Sequence, residues 1–144
     1  MQTAIDLSQL VSVVGDAIVV CDPKGIITLW NPAAEYMFGF TEAEALGQSL
    51  DIIIPERLRQ RHWEGYQKTM ETGQTRYGHD VLRVPAINKA GTPMSISFTV
   101  ALLTSADKAI TGIASVIRDE TAKFNEDRAL RKRLMELETQ VASK

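Results

Sequence analysis

The sequence predicts an α+β fold: a five-stranded antiparallel sheet with short helices over one face, an N-terminal amphipathic helix and a C-terminal coiled-coil helix. Three observations carry that expectation. Apolar residues switch from helical spacing to alternation after Gly73, glycine and proline cut the first half into short segments, and a charged leucine-spaced tail closes the chain. A length of 144 residues suits one hydrophobic core. The expected divisions are a flanking helix over 1–14, a central domain over 15–119 and a coiled-coil helix over 120–144.

Ile5, Leu7, Leu10, Val11 and Val14 lie near one stripe, which predicts a helix over Ala4 to Val14. Ala17 to Cys21 reads as a buried strand, Asp22-Pro23-Lys24-Gly25 as a turn, and Ile26 to Trp30 as the returning strand. Asn31-Pro32 is a helix start, an N-cap followed by proline at the first helical position, and Gly39 ends that helix. Thr41-Glu42-Ala43-Glu44 is a capping box that opens one helical turn, stopped at Gly47. The longest internal helix is expected over Glu56 to Glu71, between Pro55 and Gly73.

Strands follow over Tyr77 to Ile87, Pro93 to Leu103 and Ile110 to Arg118, with turns at Asn88 to Gly91 and Ser105 to Lys108. Ser95, Ser97 and Thr99 alternate with Ile96, Phe98 and Val100, so one face of that strand is expected wet and the other dry. In the tail, Leu130, Leu134, Leu137 and Val141 are spaced as the seam of a coiled coil, the expected homodimer interface.

Composition removes several function classes. A net charge of -2 gives no basic field for nucleic acid. The apolar runs fall short of the roughly 20 residues that cross a bilayer, and the first residues do not read as a signal peptide, so a cytoplasmic protein is expected. Cys21 is the sole cysteine and no Cys/His cluster has zinc spacing. No phosphate loop, nucleophile elbow or acid–base constellation stands out, so no enzyme is expected.

Several motifs resemble the PAS family of sensory domains: Gly15 to Asp22 with Gly25-Ile26-Ile27, Trp30-Asn31-Pro32-Ala33-Ala34-Glu35 with Phe38-Gly39-Phe40, Thr41 to Gly47, Ile54-Pro55-Glu56, Lys89-Ala90-Gly91 and Arg118-Asp119-Glu120-Thr121. The resemblance runs from about Val11 to Thr121. It implies a ligand or cofactor between the helices and the sheet, and a signal passed through flanking helices to a downstream protein or effector domain in bacterial-type signal transduction.

His62 is the sharpest candidate for the ligand contact. Leu58, His62, Gly65, Tyr66 and Met70 fall near one helix face, while Arg57, Glu64 and Lys68 lie elsewhere. A neutral imidazole there would ligate haem iron, with Ile96, Phe98, Val100 and Ile113 as an oily opposite wall. Arg61-His62 with Tyr66 is similar to the proximal-histidine helix of haem-binding oxygen-sensor PAS domains, which implies Arg59 or Arg61 at a haem propionate. In those relatives an arginine on the following strand aids oxygen selectivity, a place Arg76 or Arg83 would have to fill. Haem b through His62, another small molecule, or a ligand-free module for dimerisation and protein interaction remain the three readings. Covalent flavin chemistry is not expected, because Cys21 lies on the first strand instead of the helical arch. His79, the Arg57-Arg59-Arg61 cluster and Trp63 read respectively as a surface residue, a solvated helix face and a packing residue.

Overall fold

The structure is a computed structural model and describes residues 4–74 and 79–143. Its strands are β1 (Ala17–Cys21), β2 (Ile27–Trp30), β3 (Leu82–Ile87), β4 (Pro93–Thr104) and β5 (Ile110–Asp119). They form one antiparallel sheet in the order β2-β1-β5-β4-β3. The central strand is therefore the last one, and it joins the opening hairpin to the meander. The turn of that hairpin is held by Asp22, whose carboxylate accepts from Lys24 N (2.8 Å) and Ile26 N (3.0 Å). Gly25 completes it at φ +84°, a conformation that a side chain would strain.

Helices α1 (Leu7–Val13), α2 (Pro32–Phe38), α3 (Glu42–Ala45), α4 (Glu56–Thr72) and α5 (Thr121–Ala142) surround the sheet, with a 3-10 turn over Leu50–Ile53. The core lies where α2 and α3 meet β1 and β2: Ala17, Val19, Trp30, Ala34, Phe38 and Ala45 are all buried. The Trp30 ring lies 5.5 Å from that of Phe38, tilted by 42°, and its indole N–H donates to Phe40 O at 3.0 Å. That bond meets the requirement that a buried indole nitrogen be paired.

Asn31 shows why the strand-to-helix corner takes this residue. Its Oδ1 accepts from Ile18 N (2.9 Å) and Ala34 N (3.0 Å), and its Nδ2 donates to Val11 O (2.9 Å) and Asp16 O (3.1 Å). One buried amide thus caps α2, pairs with β1 and anchors the end of α1. Its removal would strand several buried groups, each costing about 1–3 kcal/mol.

The capping box at Thr41 and Glu44 is present as the sequence requires, and Gly39, Gly47 and Gly73 all take positive φ. Several features differ from expectation. The first helix spans Leu7–Val13, shorter than Ala4 to Val14, because Asp6 supplies the N-cap from its own side chain. The single turn after Thr41 ends at Ala45, with Gly47 making the reversal. The run at Leu50 forms a 3-10 turn capped by Ser49, which the apolar pattern alone does not reveal. The third strand begins at Leu82; the expected start at Tyr77 falls outside the described residues, and His79 to Val81 are not strand. No helix among the described residues is long and apolar enough to cross a membrane.

Candidate functional site

Strand register sorts the candidate residues by face. Phe98 pairs with Ile117, Val100 with Ser115 and Leu102 with Ile113, while Val84 pairs with Ile96. Side chains opposite one another in a sheet share a face. Ile96, Phe98, Val100 and Ile113 therefore form one apolar wall, on the side that carries the buried core residues Ala17, Val19 and Cys21. Arg83 and Arg118 both pair with Ser97 and so lie on the opposite face. Arg83 does not reach the inner wall, and Arg76 lies outside the described residues. The inner wall is not evenly covered: it is sealed over β1 and β2, but Phe98, Val100 and Leu102 are only half-buried.

Helix α4 lies against the opening hairpin and the 3-10 turn. No residue of α4 is fully buried, so it rests on the body through half-buried side chains. The stripe it presents is centred further round than the sequence face at Leu58 and Gly65. Gly65 is exposed, and Arg59, His62, Trp63, Tyr66 and Met70 are half-buried instead. Arg59 donates from Nε to Ile54 O (3.0 Å) and from a terminal nitrogen to Asp51 O (3.3 Å). The indole N–H of Trp63 donates to Asp51 Oδ1 at 2.7 Å, and the Tyr66 hydroxyl donates to Asp22 O. A Cβ built on Gly25 would fall 2.2 Å from the Trp63 ring, so the indole occupies the space that glycine leaves. These contacts pin α4 to the opening hairpin and to the 3-10 turn.

His62 sits against this clamp, 4.5 Å from the Trp63 ring and 5.9 Å from that of Tyr66, centroid to centroid. Its Nδ1 is buried and has no hydrogen-bond partner among the described residues. Burial pushes the imidazole pKa below its ordinary value of 6.5, against a smaller upward pull from the Asp51 carboxylate. The ring is neutral near pH 7, the form in which imidazole ligates a metal. Burial, then Asp22, pushes the Cys21 thiol up to about 12, which leaves it unreactive. Burial also raises the pKa of Tyr66, so it stays a neutral hydrogen-bond donor.

The remaining sequence candidates fall outside this cluster. Leu58 is half-buried beside it, whereas Arg61 is exposed on α4 and makes no ion pair with a described residue. Leu130, Leu134, Leu137 and Val141 are exposed along α5, and His79 is exposed as well. No group of three or more His, Cys, Asp or Glu placed to hold a metal ion occurs among the described residues. Surface clefts of about 920 Å³ along α5 and about 680 Å³ between Pro55 and Ile87 lie away from His62.

One feature present fits haem, a neutral imidazole with an orphaned ring nitrogen. For the propionates, Arg61 is exposed and Arg59 is already engaged with two backbone carbonyls. Sequence reasoning missed Trp63 and Gly25 as a pair, because the only signal was a glycine at a turn and an aromatic residue far along the chain.

The architecture is a five-stranded antiparallel sheet with short helices packed against it. Residues 5–119 match the family model described as the PAS fold, and the chain belongs to the PAS family. It is 45% identical over 56 residues to the sensor protein FixL of Bradyrhizobium diazoefficiens, covering 39% of this chain and 11% of that protein. It is 33% identical over 58 residues to the oxygen sensor protein DosP of Escherichia coli, covering 40% of this chain and 7% of that one. The chain thus spans a small part of the curated relatives it matches. Among solved structures, a PAS domain from Colwellia psychrerythraea superposes with a TM-score of 0.70 at 22% identity, covering 81% of this chain and 95% of that one. An RNA-binding light-oxygen-voltage receptor gives 0.71 at 19% identity, covering 90% and 36%. At such identities the likeness is one of fold.

Proposed function

We propose that the chain is a sensory input module that holds haem through His62, between α4 and the inner wall, and signals through its flanking helices. The observation that carries this reading is the buried, unpartnered Nδ1 of a neutral imidazole. Leaving such a nitrogen desolvated and unbonded costs about 1–3 kcal/mol, so a histidine retained there fits a ring with work to do when a ligand enters. The matches to FixL and to an oxygen sensor support it. When bound, haem would supply an iron centre able to take a gas or change redox state.

The chain's own residues do the rest. Trp63 and Tyr66 orient the helix that carries His62, Asp51 holds the indole, and Phe98, Val100 and Ile113 offer an apolar surface on the sheet. Ligand entry would shift α4, and through its clamp the β1–β2 hairpin, biasing two arrangements of the sheet and of α5. A second reading has its own support: the exposed leucines of α5 favour a ligand-free module that dimerises and binds a partner protein.

Haemin titration separates the readings. The purified protein is expected to develop a Soret band saturating at one haem per chain. His62→Ala is expected to lose that band while its circular dichroism remains that of the wild type. Protein that stays colourless with excess haemin overturns the haem reading.

A further inference from the structure

Helix α1 leaves its apolar side chains in solvent: none of its residues is buried, and Leu7, Leu10 and Val13 are all exposed. Burial of apolar surface therefore does little to hold it in place. Two side chains from the rest of the fold reach α1 and the turn that follows it. The buried Asn31 amide donates to Val11 O and to Asp16 O. Arg118 grips the Asp16 carboxylate: its Nε donates to Oδ1 at 3.2 Å and a terminal nitrogen to Oδ2 at 3.1 Å. Paired bonds of this kind between a guanidinium and a carboxylate fix orientation as well as distance.

The same arginine stands at the other flank of the domain. It lies at the end of β5, close in sequence to Glu120, the N-cap of α5. Across the sheet it faces Ser97, whose hydroxyl donates to Glu120 at 3.2 Å. Asp16, and more weakly Glu120, pushes the Arg118 pKa up, so carboxylates from both flanks act on one guanidinium. A line of polar contacts thus runs from Asn31 through Asp16 and Arg118 to the start of α5. No residue of α4 or of the apolar inner wall belongs to it.

We infer that the Asp16–Arg118 pair couples α1 to α5, so that the domain relays a change at its entry helix to its exit helix whether or not a ligand is bound. This stands apart from the His62 reading and is tested on the apoprotein. Leu10→Pro removes the donor of the bond from Leu10 N to Asp6 O (3.0 Å) and unwinds α1, which has no buried residue to lose. Asp6→Ala, which deletes only the N-cap of α1, is the milder variant. The readout is hydrogen exchange at the Phe124 amide, which donates to Glu120 O at 2.8 Å in the first turn of α5. Leu10→Pro is expected to speed that exchange about twofold, within what a solvent-exposed ion pair carries, and Asp6→Ala to act in the same direction. Exchange within β1 should stay as in the wild type. In an Arg118→Gln background neither α1 variant is expected to alter Phe124, and about 1 M salt should shrink the effect in the presence of Arg118, because the pair is exposed. Phe124 exchange indifferent to both α1 variants overturns the inference. So does an acceleration that survives Arg118→Gln, which would route the coupling through other contacts.

Discussion

Burial holds the His62 imidazole below its ordinary pKa of 6.5, and this makes stability depend on pH. The folded state binds its proton less readily than the unfolded chain does. Stability is therefore fully present above pH 6.5 and is lost as the pH falls from there toward the depressed folded value. The Asp51 carboxylate opposes the shift and narrows that window. Urea midpoints of the apoprotein between pH 7.5 and 5 are expected to fall in the wild type and to fall less in His62→Leu. Parallel slopes would show that another group governs the window. Local chemistry made much of the residue scale legible: Asn31 before Pro32 announces an N-cap, and the alternation around Phe98 announces an inner wall. The fit of Trp63 over Gly25 was not legible, since it depends on how α4 docks and no helical period encodes that. Ser97 shows the converse error. Alternation assigns it to a wet face, yet the start of α5 covers it and Glu120 accepts its hydroxyl at 3.2 Å.

At the scale of elements, α5 is the outlier. None of its residues is buried, and Leu130, Leu134 and Leu137 stand exposed beside Arg131, Lys132 and Arg133. An isolated helix with a leucine seam gains its stability from packing, not from propensity, so a second copy is the natural cover. Leu134→Glu is expected to leave the circular dichroism of the central domain intact and to give monomers in sedimentation velocity where the wild type gives dimers. A Leu134→Glu protein that stays dimeric would move the interface elsewhere. The exposed Leu7, Leu10 and Val13 of α1 are the second place to look. Helical spacing disclosed α5, and a period-two pattern disclosed β4 and β5. The short 3-10 turn at Leu50 and the start of β3 escaped, because a few isoleucines or a glycine-rich approach fit several local conformations equally well.

Across the whole molecule, the join between sheet and exit helix is a small set of bonds. Glu120 N donates to Ser95 O at 2.8 Å, Ser95 N donates to Thr121 Oγ1 at 3.0 Å, and Glu120 takes the Ser97 hydroxyl. Any displacement of β4 therefore reaches the first turn of α5 without passing through a flexible linker. Thr121→Val removes the central acceptor while keeping the shape of the side chain. It is expected to speed hydrogen exchange at Ser95 and in the first turn of α5 while haemin uptake stays unchanged. Equal protection in both proteins would mean that the remaining bonds suffice.

The pairing of β1 with β5 sets Ala17 opposite Ile117, and Arg118 reaches back to Asp16 at 3.1 Å. The polypeptide thus enters and leaves the sheet on neighbouring strands, at the same end. Neighbouring ends are what allow one domain to be inserted into another at little structural cost. Here the two ends are also tied to each other directly, by the ion pair of Asp16 with Arg118.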